Sequence, residues 1–335
     1  MCGIIGYWSL NNISNSSVLI EDMINTIKKR GPDDKGFWKD KENNIVLGHS
    51  RLAIQDLTFA GNQPLKSSNQ KWVIIFNGEI YNHYKLRADL KDINWVGHSD
   101  TETIAEYINE FGVNKFWENA DGMYALAAFN IFSKKLFLLR DNFGEKPLYM
   151  FSERNNICFS STLEGIKIYK KDNLEIEQNS IVNFINYGFI PDNKSIYKKV
   201  ISIDPSQLLE IEIANKEFLI TSKQKNLYKN NQTFIKKETK KNYLSEIEEL
   251  ISDSIKSRLI GDLKVGCFLS GGIDSSLVAA IAQKHLNGKL ETFSIGFESS
   301  GFDESIFAKE VANILQTKHK SYFLEDKDIL NVATN

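Results

Sequence analysis

Met1-Cys2-Gly3-Ile4-Ile5-Gly6 is the stretch on which the reading of this chain turns. A small second residue permits trimming of Met1, after which Cys2 would carry both a thiol and the chain's α-amine. An unperturbed thiol titrates near about 8.5 and an α-amino group near about 7.7–8.0, so one residue can supply nucleophile and base together at neutral pH. A lone Cys in an early apolar strand is more often an inert thiol. The partners downstream turn the reading toward chemistry.

The chain has 335 residues, enough for two domains with apolar cores. Lys plus Arg number 41 and Asp plus Glu 43, a net charge of -2, so no bulk field recommends nucleic acid or an anionic membrane, and any phosphate site must be local. Cys2, Cys158 and Cys267 are odd in number and form no CxxC pair, which suits a reducing cytoplasm better than a disulfide scaffold. No leader pattern and no apolar run of about 18 residues stands out. The five histidines are scattered without HExxH, which argues against a zinc site.

From Cys2 to about Ser161, strand patterns alternate with helical stretches at Tyr84–Leu90 and Thr101–Phe111. The clearest hairpin runs from Met123–Phe129 through Phe132-Ser133-Lys134 into Lys135–Leu139. This predicts an α+β domain over 2–205. Texture changes at Asp204-Pro205, and the Lys- and Asn-rich segment Ser222 to Lys241 is too polar for a core, so 206–241 reads as a linker region. From 242 to 335 the pattern is a helix, the strand Val265–Leu269, a helix from Leu277, a strand over Leu290–Phe297, a helix over Ser305–Leu315 and a strand over Ser321–Leu324. That alternation predicts an α/β doubly wound parallel sheet, narrow enough to look incomplete.

Amide hydrolysis through a thiol needs an oxyanion hole and groups that orient the substrate. The strand Trp72–Phe76 leads into Asn77-Gly78-Glu79-Ile80-Tyr81-Asn82, where the Asn77 amide and the Gly78 N–H can serve one developing oxyanion. An ordinary Asn-Gly turn is the plainer alternative. Gly48-His49-Ser50-Arg51-Leu52 puts an Arg at a strand end, suited to a bidentate grip on an α-carboxylate or to a surface ion pair. Ser99-Asp100-Thr101-Glu102 opens a helix, with Asp100 as cap residue or as receiver of a substrate ammonium.

Together with Arg30-Gly-Pro-Asp33, Gln63-Pro-Leu65 and Arg140-Asp-Asn-Phe-Gly-Glu-Lys-Pro-Leu-Tyr149, these motifs make the chain resemble the class II glutamine amidotransferases, most closely the glutamine-hydrolysing asparagine synthetase family. The resemblance implies an N-terminal-nucleophile hydrolase sandwich. In it Cys2 attacks the glutamine amide, Asn77 and Gly78 stabilise the oxyanion, Arg51 and Asp100 hold the amino-acid head, and Glu79 also contacts the substrate. Thr162 stands where that family usually has Glu.

Ser270-Gly271-Gly272-Ile273-Asp274-Ser275-Ser276 lies between a strand and a helix, where backbone N–H groups and the helix N-terminus form an anion site. With no GxxxxGK, a γ-phosphate kinase or GTPase is disfavoured. A Ser/Gly turn capped by Asp274 is the plainer alternative. The loop resembles the pyrophosphate loop of ATP pyrophosphatases. That resemblance implies that Ser270, Gly271, Gly272, Ser275 and Ser276 cradle ATP, that Asp274 helps bind Mg²⁺, and that the strand holding Ile295 contacts adenine. Phe302-Asp303-Glu304-Ser305 also matches the synthetase pattern.

The implied partners are glutamine, ATP and aspartate, giving asparagine, glutamate, AMP and pyrophosphate; a homodimer stays open. By the same resemblance, further Mg²⁺ ligands and a catalytic Lys would lie beyond Asn335, so the chain as given is expected to hydrolyse glutamine and to make little amide. An amidotransferase for another carboxylate and a non-catalytic binding protein are the alternatives, and the intact Cys2 weighs against the latter. The thiol also weighs against a β-lactam synthetase.

Overall fold

The apolar run behind Cys2 becomes β1 (Gly3–Ser9), every residue of which is buried. Such a strand must be covered on both faces, and its alternation shows how: Ile4 and Trp8 enter one apolar cluster, Ile5 and Tyr7 another. The computed structural model describes all residues except 12, 14, 192, 228–239, 287, 298–302, 326 and 328–335, together with the side chains of 240–242.

Two compact units are present, divided at Asn231. In the first, one six-stranded antiparallel sheet joins β1 to β2 (Asp34–Asp40), β3 (Ile45–Arg51), β8 (Tyr149–Glu153), β9 (Asn156–Ser160) and β10 (Val200–Ser202), in the order β10-β8-β9-β1-β3-β2. A second sheet holds β4 (Leu65–Lys66), β5 (Trp72–Ile80), β6 (Gly122–Asn130), β7 (Lys135–Arg140), β11 (Gln207–Ala214) and β12 (Glu217–Gln224), in the order β12-β11-β7-β6-β5-β4. Ile4, Trp8 and Leu47 of the first sheet meet Val73, Ile75, Ala127, Phe129 and Leu138 of the second in a shared central core. The outer face of the second sheet packs on α2 (His83–Ala88) and α3 (Asp100–Asn119), and that of the first on α1 (Ser16–Thr26) and α4 (Leu163–Tyr169), with α5 (Gln178–Tyr187) following α4 in the chain. The result is an α/β/β/α sandwich.

The hairpin expected after Met123 is the β6–β7 pair, with Asn130 opposite Lys135. The helix expected over Thr101–Phe111 ends where expected, since Gly112 leaves helical geometry at φ 82°; a second helical stretch, not foreseen, follows to Asn119 and buries Val113, Phe116 and Trp117 in the same apolar cluster. The linker expected from 206 also starts too early. Leu208, Leu209 and Ile211 sit in the core, β11 pairs with β7, and β12 closes the sheet, so the domain reaches at least Gln224. Residues 228–239 of that linker lie outside the described residues.

The second unit opens with α6 (Lys240–Ser257) and carries β13 (Gly266–Phe268), α7 (Ile273–His285), β14 (Glu291–Phe297), α8 (Ser305–Leu315) and β15 (Lys318–Leu324). Its three strands are parallel in sequential order. Leu269, Ala279, Ala282, Ala308 and Ala312 form its core against one face. On the other face Phe268, Ile295 and Tyr322 are 78%, 49% and 57% exposed, whereas parallel sheets are normally covered twice.

Candidate active site

Three strand ends and one helix start meet at a single cavity of about 60 Å³. Cys2 precedes β1, Arg51 ends β3, Asn77, Gly78 and Glu79 lie near the end of β5, and Asp100 begins α3; all six line this cavity. The sequence motifs, scattered over a hundred residues, are therefore neighbours.

The Cys2 thiol is half-buried; its Sγ accepts the Leu52 N–H at 3.3 Å and lies 3.5 Å from the Leu52 carbonyl. Burial pushes its pKa up, against the Leu52 N–H and the amino-terminal charge, which pull it down. The resting thiol is thus protonated at neutral pH and needs a base. Met1 itself lines the cavity.

Asn77 is 1% exposed, and neither its Nδ2 nor its Oδ1 has a hydrogen-bond partner among the described residues. Such a group costs about 1–3 kcal/mol, and here it faces a cavity shared with the thiol. Gly78 has a packing reason as well: a Cβ there would lie 2.1 Å from the Met123 carbonyl oxygen across the β5–β6 pair. Arg51, 6% exposed, already spends much of its fork on the protein. Nη1 donates to the Thr58 carbonyl at 2.9 Å and to Asn62 Oδ1, and Nη2 donates to the Asp56 carbonyl, so the guanidinium binds the 56–62 loop while reaching the cavity.

Half-buried Glu79 and buried Asp100 form an acidic pair at the cavity. Burial and the Asp100 charge raise the Glu79 carboxyl, although Gln55 donates to it at 2.6 Å; burial raises Asp100 despite the Ile80 N–H at 3.0 Å. Two confined carboxylates of this kind call for a cation. Because both are raised, they protonate, and lose their grip on an ammonium, as pH falls through a range where ordinary carboxylates stay charged. KM for an amino-acid substrate is therefore expected to rise by up to about tenfold per unit as pH falls through about 8, where Glu79 is placed, and on through about 6, where Asp100 is, in steady-state kinetics. A flat KM over that range would show that neither carboxylate meets the ammonium.

Sequence reasoning missed several supports. Asp56, fully buried at φ 54°, accepts from Thr58 N–H, Thr58 Oγ1 and His98 N–H, tying the Arg51 loop to the segment that leads into α3. Burial pushes its carboxyl up, but these hydrogen bonds outweigh it and leave it below the ordinary value. Gln55 orients Glu79. Lys146, 5% exposed, reaches the cavity from the Arg140–Tyr149 motif, which was visible in the sequence but offered no distinct role for this residue.

In the second unit, Ser270, Ser275 and Ile295 line a cavity of about 250 Å³ at the C-terminal ends of β13 and β14, with Phe293, Ser294 and Glu304. Gly271, Gly272, Asp274 and Ser276 flank it in the loop and first turn of α7 without lining it. The two glycines differ. Gly271 has φ +84° and its Cβ would lie 2.6 Å from Phe307 Cβ, so it serves the turn and the approach of α8; Gly272 has only Ser270 Oγ, at 3.4 Å, near its missing Cβ. Ser270 and Ser275 hydroxyls bond each other at 3.0 Å, while the buried Ser276 Oγ has no partner.

This loop fits a phosphate chain, with the Ser276 hydroxyl unpartnered among the described residues and the N-terminus of α7 beside it. Mg²⁺ fits only jointly with phosphate oxygens, since Asp274 is a lone carboxylate and no group of three metal-binding side chains exists among the described residues. Phe302 lies outside the described residues, and Asp303 accepts the Ser305 N–H at 2.9 Å beside α8.

The sandwich, with a cysteine at the head of a central strand, has the fold of the N-terminal-nucleophile hydrolases. Residues 1–225 match the family model described as glutamine amidotransferase domain, and residues 246–334 match that described as asparagine synthase. The chain belongs to the glutamine amidotransferase family. It is 34% identical over 98% of its length to a protein of Methanocaldococcus jannaschii named as a glutamine-hydrolysing asparagine synthetase, covering 66% of that protein. It is 32% identical over 99% of its length to asparagine synthetase (glutamine-hydrolysing) 1 of Bacillus subtilis, covering 51%. The chain thus spans about one half to two thirds of these curated relatives. A glutamine phosphoribosylpyrophosphate amidotransferase of B. subtilis, solved with ADP and GMP, is similar at TM-score 0.48 and 13% identity, over 100% of this chain and 70% of that one.

Proposed function

We propose that the first unit hydrolyses the side-chain amide of glutamine and that the second binds ATP for amide synthesis on a carboxylate, aspartate being the acceptor suggested by the names of the relatives. The observation that carries the reading is the buried, unpartnered Asn77 amide in the cavity shared with the Cys2 thiol and the Glu79–Asp100 pair.

With Met1 trimmed, the α-amine of Cys2 takes the thiol proton and Sγ attacks the glutamine carboxamide carbon. Negative charge then grows on the amide oxygen, where Asn77 Nδ2 and the Gly78 N–H can donate. Collapse expels ammonia, which carries the proton back from the amine, and leaves a glutamyl thioester that water cleaves to glutamate. Glu79 and Asp100 take the substrate ammonium. An Arg51 N–H not spent on the 56–62 loop takes its carboxylate. At the second site the 270–276 loop would hold the phosphates, and Mg²⁺ bound with them would offset their charge. Three free thiols suit a reducing cytoplasm.

The test separates the two sites. Asp274→Ala is expected to weaken Mg-ATP binding at least about tenfold by calorimetry while glutamate release from glutamine stays at the wild-type rate. Loss of both together would refute the division of labour, and absence of glutamate release from the wild-type chain would refute the first half.

A further inference from the structure

The sandwich builds an elaborate turn to deliver one buried ammonium. Asp141 accepts the N–H groups of Tyr124, Phe143, Glu145 and Lys146 at 2.9–3.1 Å, fixing the turn from both sides. Arg140 donates to the carbonyls of Gly144, Lys146 and Ile203 and to Ser202 Oγ, closing it. Lys146 then projects into the cavity lined by Cys2, Glu79 and Asp100. Among the described residues, its hydrogen-bond partners are two thioethers, Met1 Sδ at 3.2 Å and Met123 Sδ at 3.0 Å. A thioether is a weak acceptor and an ammonium has three donors, so this charge is poorly satisfied. Burying an ammonium costs several kcal/mol unless it is compensated. Trimming Met1 removes one of these two sulfurs.

We infer that Lys146 is a positioning residue of the glutaminase pocket, an internal counter-cation that opposes protonation of the freed α-amine of Cys2 and of the Glu79 carboxyl with which it shares the cavity. The inference rests on the glutaminase reading. A nearby positive charge favours the deprotonated form of an amine and of an acid alike. The charges around it agree. In the untrimmed chain the Met1 amino group, one residue before that of Cys2, is lowered first by burial and then by Arg30, whose Nε donates to the Cys2 carbonyl at 3.0 Å, and by Lys146, against Cys2 and Asp33. Burial and Asp100 push Glu79 up to about 8, and Gln55 and then Lys146 offset part of that rise. Lys146 is itself lowered by burial and Arg30, while Glu145, Asp141 and Glu79 support its charge.

The experiment is the pH profile of kcat/KM for glutamate release, from about pH 5.5 to about pH 9, for the wild type, Lys146→Met and Lys146→Arg. The Met variant fills the same volume beside two methionines without the charge. Its acid limb is expected to move up by about one pH unit, with the alkaline plateau retained and the Arg variant staying on the wild-type limb. Alkylation of Cys2 by iodoacetamide against pH should show the same shift without any turnover. A Met variant whose limb and alkylation profile stay in place, or whose rate falls equally at every pH, overturns the inference. Failure of the glutaminase reading looks different: the wild type would release no glutamate at any pH, and the alkylation profiles would still decide the role of Lys146.

Discussion

Cys2→Ala is expected to reduce glutamate release from glutamine on the order of 10⁴-fold or more while leaving the fold intact, because no neighbouring group can replace the sulfur. The side chain contributes little to stability: among the described residues its polar contacts are with Leu52, at 3.3 and 3.5 Å, and the half-buried thiol lines a cavity. Thermal unfolding should therefore move by no more than about 2 °C. ATP binding by the second unit should be untouched. The same experiment tests the base. Burial holds the thiol protonated, and the base assigned to it is an amine that exists only once Met1 has gone. Mass spectrometry of active protein should find chains beginning at Cys2. Full activity in chains that keep Met1, whose side chain lines the cavity and contacts Lys146, would mean that the proton goes elsewhere.

The parts of this site that could be read from the sequence are those in short runs at the ends of strands. Asn77, Gly78 and Glu79 follow one another on β5, and Asp100 follows the Ser99 cap whose Oγ accepts the Glu102 N–H at 3.2 Å. Local pattern suffices there, because strand alternation and helix capping fix where each side chain goes. Lys146 and Asp56 were not legible in this way. Their roles depend on contacts with residues as distant as Met1 and His98, which no periodicity encodes. The missed end of the first domain has a related cause. β12 is an edge strand whose Thr221, Ser222, Lys223 and Gln224 are exposed, so its composition resembles a linker even as Leu208 and Ile211 of its neighbour enter the core. Gly271, which the resemblance places in the phosphate cradle, also has a packing reason that the sequence did not show, the approach of Phe307.

Asn77→Ala separates catalysis from stability more sharply than any other change in the pocket. In most buried sites, truncating an amide breaks hydrogen bonds and destabilises the fold by about 1–3 kcal/mol. Here Nδ2 and Oδ1 are buried with no partner, so the substitution removes an unsatisfied polar group and should leave the melting temperature unchanged or slightly raised. The amide oxygen of glutamine acquires its charge only in the transition state, and one lost oxyanion donor is expected to lower kcat about 10²–10³-fold with little change in KM. Gly78 cannot be tested in this way, since any Cβ there collides with the Met123 carbonyl oxygen at 2.1 Å and disturbs the sheet. Asn77→Asp sharpens the result: it keeps the shape but puts an acceptor where a donor is needed, beside two carboxylates, and should be no more active than Asn77→Ala. If Asn77→Ala instead unfolds early and its activity falls only in step with the folded fraction, the amide is part of the scaffold, and the oxyanion must be held by other groups in the cavity.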